Sequence, residues 1–294
     1  MEPHPLLRID RYFDFRSHPF EHQELFRADG IGSVIDVLDQ IGPYCQEWLD
    51  SIPRETLALP GTTESDTWPH AACEGSFDVL CEEDGIFMPD RIVANKNGGF
   101  VYIAAGACVR GGTFDVSQGS VFIGPDAVVN GAWICGPAII GQSTELRPGA
   151  YLRGNVIIGR NAVIRGELKN TVVMDEADFP HPCYLGDSIC GYGSHFGNQA
   201  TAANVNIFGR KDSIKLKIDG QTIDLGRRKI GIVMGDFCQV GCNAVSDPAT
   251  FLQHHTIVYS LTRINSGVYG PNEVLKNKPM EHGVIERSPL NPKS

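Results

Sequence analysis

A six-residue period constrains this chain more than any other feature. Ile134, Ile140, Leu146, Leu152, Ile158 and Ile164 stand six apart without a gap. A second register holds at Met234, Val240, Leu252, Val258 and Ile264, interrupted only by Ser246, and Ile103, Val109, Ile123 and Val129 give earlier, less regular copies. A helix repeats near 3.6 residues and a strand every two, so neither alone carries a period of six. A coil of short strands joined by turns does, because each sixth residue points inward and stacks on its equivalent one coil away. Small residues follow the inward ones at Ile140-Gly141, Ile158-Gly159, Met234-Gly235 and Val240-Gly241, where the chain must turn. An ordinary β-sandwich would show period-two alternation instead, which these segments lack. The expected class is mainly β, a parallel β-helix. The 33 glycines in 294 residues fit such a turn-rich architecture.

The first hundred residues differ, being richer in aromatic, acidic and proline residues. From Ser33 to Ile52 apolar residues at Val34, Leu38, Ile41, Cys45, Trp48 and Ile52 alternate in steps of four and three. Ser33 and Asp36 are placed as a capping pair and Pro53 as the stop, while Gly42-Pro43 is expected to break the segment into two short helices. The stretch from Pro60 to Asp66 reads as a loop. Two later segments are expected to leave the repeat. Lys169 to Pro182 carries no clean hexads, and within Asn204 to Lys229 the pieces Ile214-Lys-Leu-Lys-Ile218 and Gln-Thr-Ile-Asp-Leu225 flank Asp219-Gly220, the signature of a hairpin with a type I′ turn. The expected organisation is an N-terminal arm and helical region over 1–98, the β-helix over 99–272 with its hairpin insertion at about 205–229, and a tail over 273–294.

The formal charge of −10 argues against a general nucleic-acid surface, which needs clustered Lys and Arg. Nine cysteines without a Cys-x-x-Cys pair, and an N-terminus with no charged and apolar leader pattern, lead us to expect a reducing cytoplasm. No run of about 18 apolar residues is available to span a membrane.

His181 lies between two prolines in Phe179-Pro-His-Pro-Cys-Tyr-Leu-Gly-Asp187, so its backbone is stiff. A lone loop histidine is more often structural than catalytic, yet imidazole is the side chain best matched to proton transfer near neutral pH. Together with Leu146-Arg-Pro-Gly149, Leu168-Lys-Asn170, Ala203-Asn204 and Gly226-Arg-Arg-Lys-Ile-Gly231, this segment resembles the acetyltransferase half of the bifunctional glucosamine-1-phosphate N-acetyltransferase/N-acetylglucosamine-1-phosphate uridylyltransferases, above all the archaeal sugar-1-phosphate nucleotidylyltransferase/acetyltransferase type. The resemblance covers roughly the last two thirds of the chain. It implies a left-handed parallel β-helix of hexapeptide repeats, acetyl-CoA as acyl donor, no metal for the acyl transfer, a homotrimer, and the amino group of a hexosamine 1-phosphate or related amino sugar as acceptor.

By the same resemblance His181 is the general base, Tyr184 helps seat the sugar phosphate, and Asn204 hydrogen-bonds near the reacting centre. Arg147, Lys169 and Arg210 hold the phosphate, which suits guanidinium and ammonium donors, although a lone arginine is more commonly a solvated turn residue. Gly197, Asn198, Cys242 and Ser260 fall on the acyl-donor side, with backbone N–H groups near Gly197 expected to hold the oxyanion. Cys183 is expected to be a buried structural thiol and no nucleophile.

Departures from the family pattern fall mainly on that donor side. The family expects Gly-Ala-Gly-Thr where this chain has Gly197-Asn198-Gln199-Ala200, and an Asn where it has His195, here assigned to the substrate side. Gln253, His254, His255 and Tyr259-Ser260 replace small residues. No Gly-rich nucleotidyltransferase motif occurs in residues 1–100, so the uridylyltransferase half is expected to be absent. Two rivals follow. One is a non-catalytic β-helix that binds a nucleotide sugar and partners a separate nucleotidyltransferase. The other is a γ-class carbonic anhydrase-like zinc enzyme, kept open by nine histidines including His181, His195, His254 and His255.

Overall fold

In a computed structural model the chain is a left-handed parallel β-helix carrying one long helix. The structure describes residues 4–53, 58–61, 72–95, 98–207, 209 and 211–277; of residues 58–61 only the backbone course is described.

Three flat faces wind around one axis. The first runs in parallel register through Thr113–Asp115, Trp133–Cys135, Tyr151–Arg153, the start of Glu167–Val173, the start of Tyr184–Cys190, Thr201–Ala202, Val245–Ser246 and Arg263–Ile264. The second takes Val121–Ile123, Ala138–Ile140, Val156–Ile158, the ends of the same two long strands, Ile232–Met234, Thr250–Leu252 and Gly267–Tyr269. The third face is a ten-stranded sheet ending at Ile257–Val258 and Val274–Leu275.

The hexad residues all point inward. Ile134, Ile140, Leu146, Leu152, Ile158 and Ile164 are fully buried and stack coil on coil in one apolar core, as do Ile103, Val109, Ile123 and Val129. Each buried aliphatic side chain of this kind contributes about 1.5–3 kcal/mol. Ser246 keeps the inward register that its type seemed to break: it is buried, and its Oγ has no hydrogen-bond partner.

The second face reads Ala138-Ile-Ile140, Val156-Ile-Ile158 and Ile232-Val-Met234 because it is covered on both sides. Its outward residues Ile139, Ile157, Val172, Ile189, Val233 and Phe251 form a second core with the N-terminal region. The cover is helix α1, Val34–Asp50, which buries Val34, Leu38, Ile41, Cys45 and Leu49. It starts at the expected capping box, with the Ser33 side chain accepting from the Asp36 backbone and the Asp36 carboxylate accepting from Ser33 N at 2.8 Å.

Several expectations are corrected. Gly42-Pro43 does not divide the helix: α1 runs unbroken through Pro43. Pro43 lies on the exposed side, so the carbonyl of Asp39 can turn to water, and a Cβ at Gly42 would stand 3.0 Å from the Asn155 side chain beneath it. Nor does Lys169–Pro182 leave the repeat. Glu167–Val173 and Asp178–Phe179 sit in register on three faces, and the hexads vanish only because a single residue, Asn170 at φ 48°, turns the corner. Parallel rungs also begin before residue 99, with Ala72–Glu74 on Arg91–Val93 and Phe77–Cys81 on Gly99–Ile103. Pro60 and Gly61 belong to a strand, Ala58–Gly61, antiparallel to Phe77–Cys81, while residues 62–66 lie outside the described part. The hairpin forms as expected, Lys215–Ile218 pairing Gln221–Asp224 around Asp219 (φ 50°) and Gly220 (φ 81°). No helix among the described residues is long and apolar enough to cross a membrane.

Candidate functional site

Register fixes where the chemistry-bearing residues fall. Asp178 pairs with His195 and His195 with Gln239, while Tyr184 pairs with Thr201 and Thr201 with Val245. The turns 180–183, 197–200 and 241–244 therefore occupy one edge between the third and first faces, followed by 259–262. His181, Asn198, Cys242 and Ser260 are the second residues of these four turns. With rungs about 4.8 Å apart, they form a column about 14 Å long. His181, Cys242 and Ser260 are exposed and Asn198 is half-buried.

Below His181 the same edge carries Arg165 and Arg147, whose backbone amides donate to Phe179 O and Ile164 O, both at 2.8–2.9 Å. Arg147 pairs with Glu145 at 3.3 Å, and Arg165 Nε donates to Pro148 O at 3.1 Å. Arg165 was missed in the sequence because it lacks the Pro-Gly that marks Arg147. Arg210 lies outside the described residues.

Beside the edge, the first face presents Tyr184 in a column between Glu167 and Thr201, with Lys169 one rung from Gly186. Glu167 is held by Arg153 at 2.6 Å. Gly186 is required here, since a Cβ would lie 2.5 Å from Asn204 Nδ2 and 2.6 Å from Tyr184 Oη. Tyr184 Oη reaches Asn204 Oδ1 at 3.5 Å, and Asn204 Nδ2 donates to Asp187 Oδ2 at 2.7 Å. Burial, with Glu167 and Asp187 nearby, holds the Tyr184 phenol above its ordinary range. Asn204 is also the root of the insertion: its carbonyl accepts from Ile230 N at 3.1 Å where the chain returns.

On the donor side Gly197 N donates to Val240 O, Gln199 N to Pro182 O and Ala200 N to Gly197 O. Of the amides near Gly197 expected to hold an oxyanion, that of Gly197 itself is thus spent in the ladder. The Asn198 amide is the member of that turn with no backbone acceptor among the described residues. Gly197 serves instead by its size, because a Cβ would stand 2.7 Å from Cys242 N. Burial pushes the Cys183 thiol up to about 12, which leaves it protonated and poorly nucleophilic at neutral pH.

The histidines do not converge. His195 Nδ1 lies 3.3 Å from Asp178 Oδ2 on the third face, whereas His254 and His255 pack against each other on the edge between the second and third faces. Among the described residues no group of three His, Cys, Asp or Glu side chains is placed to hold a metal ion.

No family model matches the chain. Similar proteins are a bifunctional sugar-1-phosphate nucleotidylyltransferase/acetyltransferase of Sulfurisphaera tokodaii, 32% identical over 52% of this chain and 39% of its own length, and Bifunctional protein GlmU of Methanococcus vannielii, 29% identical over 41% and 28%. Bifunctional protein GlmU of Albidiferax ferrireducens is 36% identical over 50% of this chain and 30% of its own length. The chain spans less than two fifths of each of these curated relatives, and over about half of its own length its homologues are bifunctional sugar-1-phosphate nucleotidylyltransferase/acetyltransferases.

Proposed function

We propose that the protein is an acyltransferase moving an acetyl group from acetyl-CoA to the amino group of a hexosamine 1-phosphate or related amino sugar, and that it works in the cytoplasm as a homotrimer. The observation that carries this reading is the column of His181, Asn198, Cys242 and Ser260 on one edge, with Tyr184 beside it reaching across the first face to Asn204. A thioester donor is long and needs a track; the four turns offer one that ends at a base. In the step we favour, neutral His181 takes the proton of the amine as nitrogen attacks the thioester carbonyl, and the Asn198 amide meets the developing oxyanion. Carbon–sulfur cleavage then releases the thiol, with the proton returned from His181. Lys169, Arg147 and Arg210 are the phosphate ligands in this scheme and His195 flanks the sugar. No protein nucleophile is needed.

The second reading, a nucleotide-sugar-binding β-helix without turnover, is favoured by the polar Asn198-Gln199 turn. Thiol release from acetyl-CoA with glucosamine 1-phosphate separates the two. The acyltransferase reading expects wild-type turnover and a fall of about 100-fold or more in His181→Ala. A wild-type rate no higher than that of the variant removes it for that substrate.

A further inference from the structure

The edge between the first and second faces carries a polar ladder of which the proposed function draws on Asn204 alone. Asn155, Asn170, Asp187 and Asn204 occupy it on successive coils. Lys169 pairs with Gly186 and Thr171 with Ser188, so Asn170 and Asp187 stand opposite each other, both in the left-handed region at φ 48° and 49°. Three members are Asn and one is Asp. The acid is buried at 4% exposure, yet among the described residues no cation pairs with it; its carboxylate partners there are two amides. Asn170 Nδ2 donates to Asp187 Oδ1 at 3.1 Å and Asn204 Nδ2 to Asp187 Oδ2 at 2.7 Å. Asn170 Nδ2 gives its other hydrogen to the Leu38 carbonyl of α1, also at 3.1 Å.

We propose that Asp187 is a positioning residue, whose carboxylate, tied through Asn170 to α1, fixes the amide of Asn204 with its oxygen turned to Tyr184 and the acceptor amine. A primary amide can sit either way round, and its neighbours decide which. A carboxylate only accepts, so it forces Nδ2 inward and leaves Oδ1 outward. Asn204 Oδ1 then accepts an N–H of the amine while His181 takes the proton that leaves. This assignment rests on the acyltransferase reading for its consequence, but the amide orientation itself does not. It also gives the N-terminal helix a part in the site: Leu38 closes the chain of hydrogen bonds on its far side.

The conservative test is Asp187→Asn, which turns the edge into an all-Asn ladder of nearly unchanged shape and should fold. One asparagine cannot accept from both Asn170 and Asn204 without presenting a donor to one of them. We expect kcat for acetyl transfer to fall roughly tenfold or more, with the KM for acetyl-CoA little changed. The exchanged pair Asp187→Asn/Asn204→Asp restores an oxygen facing Tyr184 and should recover part of the loss, so that the double variant exceeds both singles. Side-chain amide NMR reads the geometry without turnover: the Asn204 NH2 resonances should shift and exchange faster in Asp187→Asn. An Asn204 signal unaltered by Asp187→Asn, or a double variant no better than either single, overturns the proposal. A shifted Asn204 signal in a protein that transfers no acetyl group supports the positioning role and removes the acyltransferase reading instead.

Discussion

Lys169 and His181 sit on neighbouring surfaces, but their settings assign them different work. Lys169 is half-buried on the first face, one rung from Gly186, where an ammonium can meet a phosphate without touching the acyl carbonyl. Lys169→Ala should therefore raise the KM for an amino-sugar phosphate about tenfold and leave kcat for a saturating acceptor nearly intact. Steady-state kinetics with the phosphorylated sugar and its unphosphorylated counterpart tests this; a kcat loss equal to that of His181→Ala would contradict it. Residue identities at this site were readable from the His-x-x-Tyr-x-Gly-Asp run and from Ala203-Asn204, because each motif is local. Asn170 and Asp187 belong to quoted motifs as well, yet their partnership was invisible. It arises from stacking at a separation of 17 residues, which no six-residue count highlights. Which backbone amides remain open at 197–200 was likewise beyond a sequence, since the ladder bond from Gly197 to Val240 depends on the hairpin insertion being bypassed.

Elements outside the solenoid carry their own titration. His22 is buried at 2% exposure, with Nδ1 3.1 Å from Tyr44 Oη and its ring edge-on to Trp48 at 5.2 Å. Burial holds its imidazole down at about 4. Below the ordinary histidine value of about 6.5 the unfolded arm binds a proton that the folded one refuses. The resulting stability is complete above that pH and is lost as pH falls through the folded value, by about 3 kcal/mol at most. Thermal melts of wild type between pH 7 and pH 4 should thus fall more steeply than those of His22→Gln, and parallel curves would count against the assignment. The helix carrying Tyr44 and Trp48 was legible in its start and its apolar stripe. Its continuity through Pro43 was not, because docking on the second face supplies more than one missing hydrogen bond removes. The six-residue period gave the solenoid directly, since it reports inward stacking. It failed where one-residue corners at Asn170 and Asp187 shorten the coil.

Over the whole molecule the three faces are unequally covered, and that asymmetry bears on assembly. The outward side of the second face is closed by α1 and the N-terminal arm, with Ile157, Ile189 and Phe251 at 0% exposure. The large apolar residues left open on the solenoid among the described residues lie elsewhere: Trp133 (49%) and Val245 (41%) on the first face, Ile86 (39%), Met88 (58%), Ile257 (43%) and Val274 (55%) on the third, Tyr259 (58%) and Leu261 (55%) on the edge between them. That edge is the one bearing His181, Asn198, Cys242 and Ser260. A rigid prism with one sticky edge and two flanking flat faces buries that surface best in a closed ring of copies. We expect light scattering at micromolar concentration to give three times the 32.0 kDa chain mass. Val245→Glu, on the open first face next to that edge, should lower that mass, whereas a charge at exposed Pro43 on the far side of α1 should not. Because the donor column lies on the associating edge, specific activity should drop on dilution through the dissociation range and in Val245→Glu. A monomer at micromolar concentration with undiminished activity would show that the site is complete within one chain.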